Sequence, residues 1–138
     1  MKVLVVTSEP VAAADLRQAL PDNVDAGDVE VMVVAPALQT SALRFWLADV
    51  DEAIERAKAT ERQTVERLSR EGVQVDDSEA GESDPEQAIE DALHLFPADE
   101  ILVFTHPEGE QHYREDVDPG VLEQRFKLPV RRAVAGAG

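Results

Sequence analysis

Short unbroken apolar runs alternate along the chain with stretches where apolar residues recur every three or four positions. Val3 to Thr7 is a run too short for a helix and rich in β-branched residues, which predicts a buried strand. Ser8 is positioned to cap a first helix, with Pro10 in its first turn and Ala12, Leu16, Ala19 and Leu20 on one face; Pro21-Asp22-Asn23 stops it. Glu30 to Ala35 predicts a second buried strand, ended by Pro36. A helical pattern then runs from Ser41 to Glu71 through Leu43, Leu47, Val50, Ile54, Ala57, Val65 and Leu68; it is longer than an ordinary domain helix, which leaves open a break at the gap near Glu61 or a separate turn around Phe45-Trp46 before it. Glu52 with Arg56, and Glu66 with Arg70, stand four apart in the favourable order, and Gly72 supplies the stop. Trp46 flanks the apolar stripe, which suits a core or groove-lining residue, with an interface role as the alternative.

Val73 to Asp77 alternates weakly and predicts a third strand near a sheet edge. Asp84-Pro85-Glu86-Gln87 is a strong helix start, followed by the stripe Ala88, Ile89, Ala92, Leu93 and Phe96 and ended by Pro97. Glu100 to Thr105 predicts a fourth strand, apolar enough for burial on both faces. A polar stretch follows, then a short helix from Gly120 to Arg125 and a last strand opened by Leu128-Pro129-Val130 and reaching Val134. Strands separated by crossover helices pair in parallel. The pattern therefore predicts a single α/β domain over residues 1–138, an open doubly wound sheet of five parallel strands with helices on both faces.

Composition narrows the function classes. The 138 residues are 43 % hydrophobic and 30 % charged, the balance of a globular chain. With no cysteine, disulfides, thiolate metal sites and cysteine nucleophiles are excluded. A net charge of −16 argues against a nucleic-acid partner, because the phosphate backbone would be repelled. The apolar stretch at Met1 to Thr7 is too short for a signal peptide or membrane span, so a cytoplasmic protein is expected. Two explanations of the acidity stay open: a salt-rich cytoplasm that screens the surface, or a genome composition that favours Arg, Ala, Asp and Glu.

In doubly wound sheets ligands bind outside the carboxyl ends of the strands, where the strand order reverses. The candidate ligand-binding positions are Thr7, Ser8 and Glu9 after strand one, Ala35 and Pro36 after strand two, and Thr105 and His106 after strand four. No G-x-G-x-x-G follows strand one, and neither a P-loop nor a G-x-S-x-G elbow occurs. A phospho-accepting receiver pattern is not met either.

One resemblance connects these positions. The segment Gly72 to His106 resembles the second half of a universal stress protein. G-E-S-D-P-E-Q-A-I at Gly81 to Ile89 is similar to the family's G-x-P-x-x-x-I helix start, Ala98-Asp99-Glu100-Ile101-Leu102-Val103 to its A-D-x-I-V, and Thr105-His106 to its T-H or S-H. Pro129-Val130 resembles the P-V that opens its last strand, and Ser8-Glu9 the S-E after its first. The resemblance implies strand order 3-2-1-4-5, a role in stress response, and a homodimer through the C-terminal strand, where Val130, Ala133 and Val134 form an apolar strip.

ATP-binding members of that family carry Gly-x-x-Gly and, further on, Gly-Ser or Gly-Thr, which let backbone amides approach the phosphates. By this resemblance the first two glycines fall on Phe104 and Pro107, and Pro107 has no N–H to donate. Gly120 is the match for the last glycine, but Val121 replaces the hydroxyl residue and the spacing is longer. The intervening Glu108, Glu110, Glu115, Asp116 and Asp118 would repel a triphosphate. The resemblance thus implies a non-catalytic binding or regulatory module with a dismantled phosphate loop. No cofactor is assigned, and a pocket for ATP, AMP or adenosine stays open. The alternative is a nucleotide-binding or nucleotide-hydrolysing protein of the adenine-nucleotide alpha-hydrolase-like group.

Other candidate chemistry is weaker. His106 and His112 stand among carboxylates, but in no recognised metal-ligand spacing, so a solvated acidic loop is expected and no metal is assigned. His94 lies off the apolar stripe of its helix, and Arg131 and Arg132 read as flanking charges. Ser8 or Thr105 beside His106 does not by itself make a nucleophile–base pair, and no catalytic residue is assigned.

Overall fold

A computed structural model describes residues 1–7, 9–20, 25–36, 50–81, 84–105 and 119–134; at positions 26, 50–53, 85, 105, 119 and 134 it describes the backbone only. The elements are β1 (Lys2–Thr7), α1 (Ala13–Ala19), a 3-10 turn (Ala26–Asp28), β2 (Glu30–Ala35), α2 (Val50–Arg70), β3 (Gln74–Ala80), α3 (Pro85–Leu95), β4 (Glu100–Thr105), α4 (Pro119–Phe126) and β5 (Val130–Val134). The five strands pair in parallel in the order β3-β2-β1-β4-β5, as expected.

The continuous apolar runs of β1, β2 and β4 are explained by burial on both faces. Val3, Val5, Val31, Val33, Leu102 and Phe104 pack with Leu16 and Leu20 of the α1 region and Leu68 of α2. Leu4, Val6, Met32, Val34, Ile101 and Val103 pack with Ile89 and Ala92 of α3, Phe96 and Leu122 of α4. Each such side chain, removed from water, contributes about 1.5–3 kcal/mol of transfer free energy, which makes this central trio the stable frame of the sheet.

Helix α3 starts as its local chemistry dictates. Asp84 Oδ1 accepts from the backbone N–H of Glu86 at 3.0 Å and of Gln87 at 3.4 Å, with Pro85 as the first helical residue. Helix α1 does not start where expected. Its N-cap is Ala12, and Pro10 lies outside the helix; Ser8 is outside the described residues. Asp15, within α1, and two tertiary partners supply the cap instead. Val11 N–H donates to Thr64 Oγ1 on α2 at 3.1 Å, Ala12 N–H to Asp15 Oδ2 at 3.0 Å, and Ala13 N–H to Glu71 Oε1 at 3.0 Å.

Of the two alternatives for the long helical pattern, the break at Glu61 does not occur: α2 is one helix from Val50 to Arg70, because its buried face continues through Thr60 and Thr64 between Ala57 and Leu68, while the turn around Phe45-Trp46 lies outside the described residues. Strand β3 runs to Ala80 rather than stopping at Asp77, with Asp76 as the extra residue of a bulge where Val31 pairs Val75 and Met32 pairs Asp77. As the end strand of the order it is paired on one side only among the described residues, so it tolerates a polar sequence that hides its length. Glu66 and Arg70 form the expected exposed pair at 3.1 Å, while the Glu52 side chain, Leu43, Trp46 and Leu47 lie outside the described residues.

Candidate functional site

The strand order places the carboxyl ends of β2, β1 and β4 side by side, with the reversal between β1 and β4. Register sets the rim: Thr7 is paired with Phe104, and Val6 with Val34. Of the eight candidate positions, Thr7, Ala35 and Thr105 close three adjacent strands, Glu9 and Pro36 follow two of them, and Gly120 is the second residue of α4. Ser8 and His106 lie outside the described residues, as do Pro107, His112 and the carboxylates between Glu108 and Asp118.

The chemistry of these groups is mostly structural. Thr7 is buried, and its hydroxyl donates to Glu9 C=O at 2.5 Å while accepting from Glu9 N–H at 3.0 Å. The hydroxyl is thereby committed to a turn that leads the chain off β1. Ala35 and Pro36 are buried and present an apolar wall. Ala35 packs with Ala57, Ile54 and Ala80, and its C=O accepts from Gly81 N–H at 3.1 Å, which ties the ends of β2 and β3 together. Gly81 makes this possible at φ +106°, where an L side chain would be strained. Phe104, the position that the family resemblance matched to a glycine, is a core residue of β4 only 2 % exposed.

Charge around the sheet is uneven. Burial, and then the carboxylates of Asp77, Asp91 and Glu61, push the Glu79 carboxyl above its ordinary value. Glu79 is half-buried near the carboxyl end of β3, so this side of the rim carries a negative field. At the opposite, amino end of the sheet, burial raises the Glu100 carboxyl against the opposing pull of Arg131. Arg131 Nε lies 2.9 Å from Glu100 Oε2, an ion pair that joins β5 to β4. Arg131 is thus a specific partner rather than a mere flanking charge. His94 is exposed.

The apolar strip expected on β5 is consumed inside the monomer. Val130 enters the α3/α4 core, and Ala133 packs against the α1/α2 core; the Val134 side chain is outside the described residues. Among the described residues, what β5 offers as the last strand in the order is a backbone edge.

Sequence reasoning missed the residues that hold the rim in shape: Thr64, Asp15 and Glu71, which bind the segment leaving β1. Thr64 was findable, since Thr60 and Thr64 continue the Ala57–Leu68 face at helical spacing. It also missed Arg56 of α2, whose Nη2 is shut off from solvent without a hydrogen-bond partner among the described residues. Among those residues no group of His, Asp or Glu could hold a metal ion, and no helix is long and apolar enough to cross a membrane. The chain matches no protein-family model and no curated protein.

Proposed function

We propose that the chain is a non-catalytic binding or regulatory module of universal-stress-protein type, acting in the cytoplasm, whose carboxyl-end pocket has lost the ATP phosphate loop. Phe104 carries this reading. A glycine there would let phosphate oxygens approach the backbone, whereas a phenylalanine packed into the core between Thr7 and the α1/α2 face keeps β4 a strand. The Thr7 hydroxyl supports it too, because it is engaged by the Glu9 backbone rather than held ready for proton transfer. The resembled glycine at Gly120 is followed by Val121, which brings no hydroxyl to a phosphate.

The module works as a homodimer through the backbone edge of β5. Two chains of net charge −16 repel, so the dimer strengthens as ionic strength rises. Light scattering that returns the mass of one chain at every salt concentration contradicts this.

The ligand reading is tested by melting the protein with ATP, AMP and adenosine, with and without Mg²⁺. A ligand at 100 times its Kd stabilises by about 2.7 kcal/mol, well within reach of a melting curve. Adenosine is expected to raise the Tm, and Mg-ATP to add nothing beyond it. Tight Mg-ATP binding, or release of phosphate, overturns the proposal in favour of a nucleotide-hydrolysing enzyme.

A further inference from the structure

Among the described residues, two buried side-chain polar atoms lack a hydrogen-bond partner, Oε2 of Glu100 and Nη2 of Arg56. The first has Arg131 Nε at 2.9 Å. The second has no ion pair among the described residues to explain it. A guanidinium nitrogen taken out of water and left unpaired is costly, and native chains keep such a group only where something else meets it.

Its place in the fold says what that is. Helix α2 descends from the carboxyl end of the sheet, where Ala57 packs with Ala35, to the amino end, where Leu68 packs with Val73. Ile54 turns to the β3 side, packing with Ala80 and lying 3.6 Å from where a Cβ on Gly81 would stand. At about 100° per residue, Arg56 stands about 160° round the helix from Ile54, on the opposite flank, with Thr60 about 40° away from it and Thr64 midway between the two on the buried face. Thr64 binds Val11 N–H, in the segment that leaves β1. Arg56 stands two turns earlier, about 12 Å up the helix axis, which brings it level with the carboxyl ends of β1 and β2.

We propose that Arg56, on the flank of α2 away from β3, binds an oxyanion of a small molecule, a phosphate or a carboxylate, through its guanidinium. The planar fork of arginine meets two oxygens of such a group at once, which an ammonium does not do. One cation in a chain of net charge −16, with Glu79 and its carboxylate neighbours along the rim, suits a single oxyanion and disfavours a polyphosphate. The inference needs no nucleoside and stands apart from the module reading above.

The test melts the full chain and its Arg56→Met and Arg56→Lys variants with sodium phosphate, sodium acetate and adenosine, each salt matched in ionic strength with sodium chloride. Matching is essential, because screening alone stabilises so acidic a chain. The wild type is expected to show a saturable rise in Tm with phosphate or acetate beyond chloride, and the anion that acts identifies the oxyanion. Arg56→Met should weaken that response by about tenfold or more. Free of ligand, it should melt no lower than wild type, since it removes a buried guanidinium nitrogen that has no hydrogen-bond partner among the described residues. Arg56→Lys should keep the charge and part of the response. Phosphate and acetate acting no differently from chloride overturn the inference, as does an Arg56→Met response equal to wild type. An adenosine shift seen alongside that chloride-like response leaves the module reading standing. An Arg56-dependent oxyanion shift without an adenosine shift upholds the inference while that reading loses its nucleoside.

Discussion

Replacing Thr64 by valine removes one acceptor from the interior and leaves the shape of the side chain nearly unchanged. The acceptor serves Val11 N–H at 3.1 Å, and both residues are fully buried. A buried backbone N–H without a partner costs about 1–3 kcal/mol, while a methyl in place of the hydroxyl returns up to about 1 kcal/mol of transfer free energy. The net loss expected for Thr64→Val is about 1–2 kcal/mol, a fall in Tm of about 3–6 °C for a domain of this size. Urea unfolding should show a lower midpoint at an unchanged m value. Amide exchange separates the hydrogen bond from packing: Val11 N–H should exchange slowly in the wild type and in Thr64→Ser, which keeps the oxygen, and quickly in Thr64→Val. Because Val11 follows the turn set by Thr7 and Glu9, the same substitution should loosen the rim of the proposed pocket. A Thr64→Val protein as stable as wild type, with a still-protected Val11 amide, would refute the claim that α2 caps the start of α1.

Asp84→Ala should cost about 0.5–2 kcal/mol by urea unfolding, since Asp84 Oδ1 serves the N–H groups of both Glu86 and Gln87; an unchanged midpoint contradicts the cap. Gly81→Ala should cost about 1–2 kcal/mol through backbone strain at φ +106° rather than through crowding, because the added Cβ would meet Ile54 at an ordinary 3.6 Å, and enlarging that space by Ile54→Val should not rescue it. Glu79 supplies a pH signature. Its folded-state carboxyl titrates above the 4.5 of a free glutamate, first through burial and then through Asp77, Asp91 and Glu61. The associated stability is fully present below that value and is lost as the pH rises through the raised one. Glu79→Gln should therefore match wild type under acid conditions and exceed it at neutral pH; a neutral-pH stability at or below wild type contradicts the sign.

The parts of the fold that were legible are those whose causes are local. β1, β2 and β4 declare themselves because a strand buried on both faces must be apolar throughout, and α3 does so because Asp84 and Pro85 carry its start within two residues. The start of α1 was misread because two of the three bonds that hold it come from Thr64 and Glu71, 53 and 58 positions away. The continuity of α2 was left open by the sequence because Thr60 and Thr64 look polar yet lie in the core. β3 looked short because an edge strand needs only intermittent apolar residues. The rim at Thr7, Ala35 and Thr105 followed from topology alone. Arg56 did not, since a guanidinium four residues after Glu52 looks like half of a surface pair, and only three-dimensional burial shows its Nη2 closed off.

The central claim is that a small ligand sits at the carboxyl ends of β1, β2 and β4 and that no triphosphate is held there. Amide shift mapping on the isotope-labelled chain tests it most directly, with adenosine and Mg-ATP titrated separately. The account predicts that adenosine moves the amides of Thr7, Glu9, Ala35 and Thr105, and that Mg-ATP moves the same set no further and binds no more tightly. Shifts gathered instead at Lys2, Asp99 and Glu100, at the amino ends of the strands, or an Mg-ATP affinity well above that of adenosine, would contradict it.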